Sequence, residues 1–161
     1  MKIRVKFSKH GAMKFIGHLD IMRYFQKAIR RAEIPIVFTE GFGPHMVMSF
    51  ASPLCVGIES EGEYMDIEIK EPLSTEEAVR RLDAVMSEGM RILDFRQIPE
   101  EKASNAMALV AAADYRIRFR EGYEPDLDWK KPYTAFLEQP SISILKKQQK
   151  SETEPEFRTL H

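Results

Sequence analysis

Two stretches of the first hundred residues alternate strictly between apolar and polar positions. In "KIRVKF", Ile3, Val5 and Phe7 share one side and Lys2, Arg4 and Lys6 the other. In "YMDIEIK", Met65, Ile67 and Ile69 oppose Asp66 and Glu68. Period two is the signature of a half-buried strand. Between them, "HLDIMRYFQKAIRRA" keeps a different period. At about 100° per residue, Ile21, Met22, Phe25, Ala28, Ile29 and Ala32 fall within an arc of about 120°. Those positions predict an amphipathic helix with Arg23, Lys27, Arg30 and Arg31 on its far side, closed by Pro35. "IPIVF" and "MVMSF" read as short strands on either side of a glycine loop. Ser74 with Glu77 makes a capping box, which opens a second helix to about Glu88, with Gly89 as its left-handed stop. "RILDFRQI" supplies a last strand before Pro99.

The order over residues 1–99 is β-α-β-β-α-β, which predicts an α+β fold of the ferredoxin-like sandwich type. Residues 100–161 begin the pattern again. "YRIRF" at 115–119 imitates "IRVKF", a helix is expected near 127–138, and "SISIL" and "EFRTL" flank the polar turn "KKQQKSETEP". This predicts a partial second ferredoxin-like β-α-β-β unit packed on the first. Neither period is clear over 101–113.

Composition narrows the function classes. Hydrophobic residues make up 43% of 161, enough for a core, and the net charge is −1, so any polyanion surface must come from local segregation. One cysteine, Cys55, excludes an intramolecular disulfide and a cysteine metal cluster; it is read as core filling. No apolar run reaches the ~18 residues of a membrane span, and the first residues lack a signal-peptide core, so a cytoplasmic protein without membrane contact is expected.

The chemistry clusters on one expected edge. If the first strand climbs, the helix descends from His18 and the next strand climbs again. The loop with Gly41, Phe42, Gly43 and His45 then returns to the edge holding His10, His18 and Asp20. These seven residues are the candidate ligand site, with glycine amides and a helix N-terminus suited to a phosphate. Phe42 either plugs the core or stacks on a base, plugging being the favoured reading. No metal and no cofactor is expected, because the histidine spacing supports no metal set. Glu59, Glu61 and Glu63 read as a solvated loop. The stripe Lys2-Arg4-Lys6 could face RNA, but cross-strand pairing with Asp66 and Glu68 is the better account. The helix face Arg23/Lys27/Arg30/Arg31 has no acid four residues away and is the candidate surface for RNA or a partner.

The segments Phe7–Gly11, Phe15–Asp20, Arg30–Pro35, Glu40–His45 and Gly57–Asp66 carry the patterns F-S-K-x-G, F-I-G-H-L-D, R-R-A-x-I-P, E-G-F-x-P-H and G-x-E-S-x-G-E-x-x-D. With them the chain resembles a bacterial radical-SAM-linked domain-of-unknown-function family. The resemblance implies a radical SAM enzyme as partner and a longer chain for the second unit. The 161 residues contain no C-x₃-C-x₂-C for that enzyme's iron–sulfur cluster. The expected function is an accessory binding domain that presents RNA, tRNA or rRNA, or docks the partner enzyme. The alternative is a small metal-independent hydrolase or ribonuclease with His18 and His45 as general acid and base.

Overall fold

The computed structural model describes residues 1–101, 105–143, 146–147, 152–153 and 156–157. Contacts divide the chain into two units, Met1–Ala113 and Asp114–His161. The first unit thus takes in residues beyond Pro99.

In the first unit the order is β1 (Lys2–Lys9), a 3₁₀ turn (Gly11–Phe15), α1 (His18–Arg31), β2 (Met48–Phe50), β3 (Ser60–Glu68), α2 (Thr75–Asp83), β4 (Met90–Ile98) and the short α3 (Ala106–Leu109). The four strands form one antiparallel sheet in the order β2-β3-β1-β4. Ile3, Val5 and Phe7 are buried, as the alternation requires, together with Met65 and Ile67 of β3 and Ile92 and Phe95 of β4. Ile21, Phe25 and Ile29 of α1 and Ala78 and Leu82 of α2 join the same core. Both helices therefore cover one face of the sheet, giving a two-layer α+β unit.

The helix ends follow local chemistry. Ser74 Oγ accepts the Glu77 N–H at 3.2 Å, the expected cap. The Glu77 carboxylate turns instead to Arg80 and Arg81, and α2 stops at Asp83, not near Glu88. Gly89 serves the turn into β4, and its carbonyl accepts the His10 N–H at 2.7 Å. α1 ends at Arg31, before Pro35. Ile34 N–H reaches Ile29 O at 3.1 Å and Glu33 N–H reaches Arg30 O at 3.2 Å, with Glu33 left-handed at φ +52°. This is a Schellman stop with glutamate where glycine is usual.

The edge strand departs from expectation. "IPIVF" and "MVMSF" do not form two full strands. Ile36 bridges Ile69, Phe38 bridges Met46, and only Met48–Phe50 is a continuous strand. Val37 N–H donates to Glu68 O at 2.8 Å while Glu68 N–H donates to Val47 O at 3.2 Å, so both arms of a hairpin root at one residue of β3. The edge strand thus pauses, sends residues 37–47 out as a hairpin, and resumes.

The outer sheet face is crossed by residues 105–106. Asp66 is buried; it takes Arg4 Nε at 2.8 Å and Nη2 at 3.0 Å, and its Oδ2 also accepts the Ala106 N–H at 2.7 Å. The pair raises the Arg4 pKa, chiefly through the Asp66 hydrogen bond. It ties a segment forty residues downstream to the sheet.

In the second unit, α4 spans Lys130–Leu137, within the predicted helix. Phe119 and Tyr133 both contact the Trp129 ring, at 5.3 and 6.1 Å between centroids. β5 (Ile142–Ser143) pairs with β8 (Glu156–Phe157), inside the expected strands "SISIL" and "EFRTL", whereas β6 (Lys146–Lys147) pairs with β7 (Glu152–Thr153) inside the stretch read as a polar turn. The expected strand at 115–119 is absent: these residues have no regular structure and Ile117 is 92% exposed. An alternating segment becomes a strand only against a neighbour, and among the described residues "YRIRF" has none.

Candidate functional site

The seven predicted site residues divide among three places. His10 follows β1 and faces acids: Nδ1 lies 3.9 Å from Glu59 and Nε2 3.5 Å from Glu61. Glu59 also accepts Lys14 Nζ at 3.0 Å and the Gly11 N–H at 3.1 Å. The Lys14 bond, then the Gly11 amide, holds the Glu59 carboxyl below its ordinary range. Glu59 is therefore bound to the 3₁₀ turn, whereas Glu61, in β3, keeps its side chain 94% exposed, as a solvated acid should be. Cys55, in the neighbouring segment, is exposed rather than core filling.

His18 opens α1 and sets its ring edge-on to Phe50, 5.4 Å between centroids. It lines a cleft of about 20 Å³ with Phe7, Lys9, Ile21, Phe50 and Glu63. That is room for one water. Asp20 does not orient an imidazole; its carboxylate meets Arg23 at 3.3 Å on the solvent side of α1.

Lys9 is the residue that the sequence reasoning missed. It is 2% exposed, and Nζ donates to the Ile16 carbonyl at 3.2 Å. Burial lowers its pKa, opposed by Glu63. The signal lay in the alternation, because Lys9 has the parity of Ile3, Val5 and Phe7.

His45 closes the hairpin. Its N–H donates to Thr39 Oγ1 at 3.1 Å, its Nδ1 lies 3.1 Å from the same oxygen, and its carbonyl accepts the Thr39 N–H at 2.9 Å. Gly41 and Gly43 take φ +99° and +85° with open space around them, so they make the turn. Between them Phe42 is fully exposed, so it does not plug the core.

The sheet register explains the division. The hairpin roots at Glu68, opposite Lys2, whereas His10 follows Lys9, which pairs with Ser60. Seven positions along β1 separate those levels, about 23 Å. Among the described residues no side-chain contact links His45 with His10 or His18, and no group of three His, Cys, Asp or Glu could hold a metal ion. An acid–base pair of His18 and His45 has no shared contact to rest on.

The two basic surfaces differ. On the sheet, Arg4 is bound to Asp66, Lys2 Nζ donates to the Glu100 carbonyl at 2.9 Å, and Lys6 lies 5.8 Å from the Tyr64 ring centroid. Of the expected cross-strand pairs, Arg4–Asp66 forms; Lys2 turns away from Glu68. On α1, Arg23, Lys27, Arg30 and Arg31 are all exposed. Only Arg23 meets an acid; among the described residues Lys27, Arg30 and Arg31 make no ion pair. No helix of the described residues is long and apolar enough to cross a membrane.

No curated protein and no solved structure matches the chain. Residues 2–160 match the profile of the family DUF2344, described as uncharacterized proteins conserved in bacteria. That match covers nearly the whole sequence, and the protein belongs to this family.

Proposed function

We propose that this chain is an accessory binding domain serving a radical SAM enzyme, and that it holds RNA, of the tRNA or rRNA class, on the outer face of α1. The observation that carries the RNA reading is the separation of charge. A chain of net charge −1 gathers four cations on one side of a 14-residue helix and leaves three of them without an acid. Solvated cations on a rigid helix can trade counterions for phosphates, which is where most nucleic-acid affinity arises. The sheet stripe is a poorer surface, since its cations already have partners. The link to a radical SAM enzyme rests on the five sequence patterns and on nothing in the geometry.

The same reading takes the first unit as a ferredoxin-like sandwich and residues 100–161 as a partial second one. The strand order β2-β3-β1-β4 and the two helices on one face support the first part. The ladders β5–β8 and β6–β7 support the second.

The test replaces Arg23, Lys27, Arg30 and Arg31 together by Gln. RNA affinity in fluorescence anisotropy should fall at least tenfold while the melting curve stays in place. Equal affinity of the two proteins would remove this face from the account.

A further inference from the structure

We infer that Phe42 is a stacking platform for an unpaired base, so that the RNA held by this domain is single-stranded where it passes the hairpin. The inference rests on the RNA reading of α1 and adds a second contact to it.

A bare phenyl ring in water is an unfavourable place for about 200 Å² of apolar surface. Phe42 is held there by its loop. The Thr39–His45 clamp fastens the hairpin with three contacts between 2.9 and 3.1 Å. Two glycines at positive φ then present the ring between them. Neither glycine is crowded, so no tight approach to the body of the protein dictated their choice. What they supply is the turn that carries the ring outward.

The hairpin also begins a few residues beyond the end of α1. α1 ends at Arg31, and the chain is pinned at once: Ile34 N–H bonds to Ile29 O and Ile36 N–H to Ile34 O at 2.7 Å. From Arg31 to Phe42 is eleven residues, at most about 40 Å even fully extended. Arg31 and Phe42 therefore lie within the reach of the ~4–16 nucleotides that single-strand sites cover. Cations that track phosphates beside an aromatic ring that takes a base are the two components of single-strand recognition. A duplex keeps its bases stacked on each other and offers the ring nothing.

The experiment compares wild type, Phe42→Ala and Phe42→Trp by anisotropy on a uridine 12-mer and on an RNA duplex of equal length. Phe42→Ala should weaken single-strand binding about tenfold or more, leave duplex binding unchanged and leave the salt slope unchanged. Phe42→Trp should bind the single strand as tightly as wild type, and its added fluorescence should be quenched on binding. If wild type binds RNA and Phe42→Ala binds equally well, this inference is overturned while the α1 reading stands. If wild type binds neither RNA at low salt, both are overturned. A drop in melting temperature with Phe42→Ala would make the ring structural and also overturn the inference.

Discussion

At position 89 a side chain has nowhere to go. A Cβ there would lie 2.4 Å from the His10 carbonyl oxygen, and the backbone stands at φ +89°. Gly89→Ala combines backbone strain with an overlap that no rotamer relieves, and should cost about 3 kcal/mol in urea unfolding. Gly41→Ala has similar strain, φ +99°, but open space, and should cost only about 1 kcal/mol. Equal losses would mean that crowding at His10 plays no part. Lys9 gives a pH-dependent case. Its folded pKa lies below the ordinary 10.5 because burial disfavours the ammonium. Below the folded value the charge is present in both states and its desolvation costs stability in full. Above 10.5 the amine is neutral in both and the cost is gone. Wild type should therefore gain on Lys9→Met as pH rises through that window, with the variant as stable or more so at neutral pH. A gap that stays constant with pH would show that Lys9 titrates alike in both states.

The stop of α1 is the element most open to improvement. Glu33 occupies the left-handed position of a Schellman motif. Glu33→Gly should raise stability by about 0.5–1 kcal/mol, the strain released less the entropy that glycine adds to the unfolded chain. A loss in thermal melting would show that the carboxylate has a role of its own. At this scale the sequence was legible where one element decides its own period. β1, α1, β3 and β4 follow from alternation or helical spacing, and the Ser74 cap from its spacing to Glu77. The edge strand was not legible. Where the two arms of residues 34–50 root depends on both finding Glu68, a partner distant in sequence. That misreading moved the glycine loop to the wrong level of the sheet and placed His45 at the edge of His10, seven positions of β1 from where the hairpin roots. "YRIRF" failed for the opposite reason: the pattern of a strand was present and the neighbour was not.

Across the whole molecule, charge and display stand beside two clefts, the larger of about 170 Å³ and lined by Lys2, Met48, Asp66, Glu68 and Asn105. The cleft beside His18 has room for one water, and the candidate histidines are engaged in packing, in acid contacts or in clamping a hairpin. Among what the first unit offers outward, the cationic side of α1 and the ring of Phe42 carry the RNA reading, beside other exposed apolar side chains such as Phe15 and Leu19. The basic face was legible because helical period alone segregates it. The exposure of Phe42 was not, because it depends on where the hairpin roots. The salt dependence of RNA binding decides whether the α1 face holds phosphates. Single-strand affinity should fall with log[salt] at a slope of about −0.7 per phosphate contact, so near −3 for four cations. The variant with Gln at Arg23, Lys27, Arg30 and Arg31 should lose most of that slope along with its affinity. A wild-type slope near zero, or a slope that the four substitutions leave unchanged, would contradict the account.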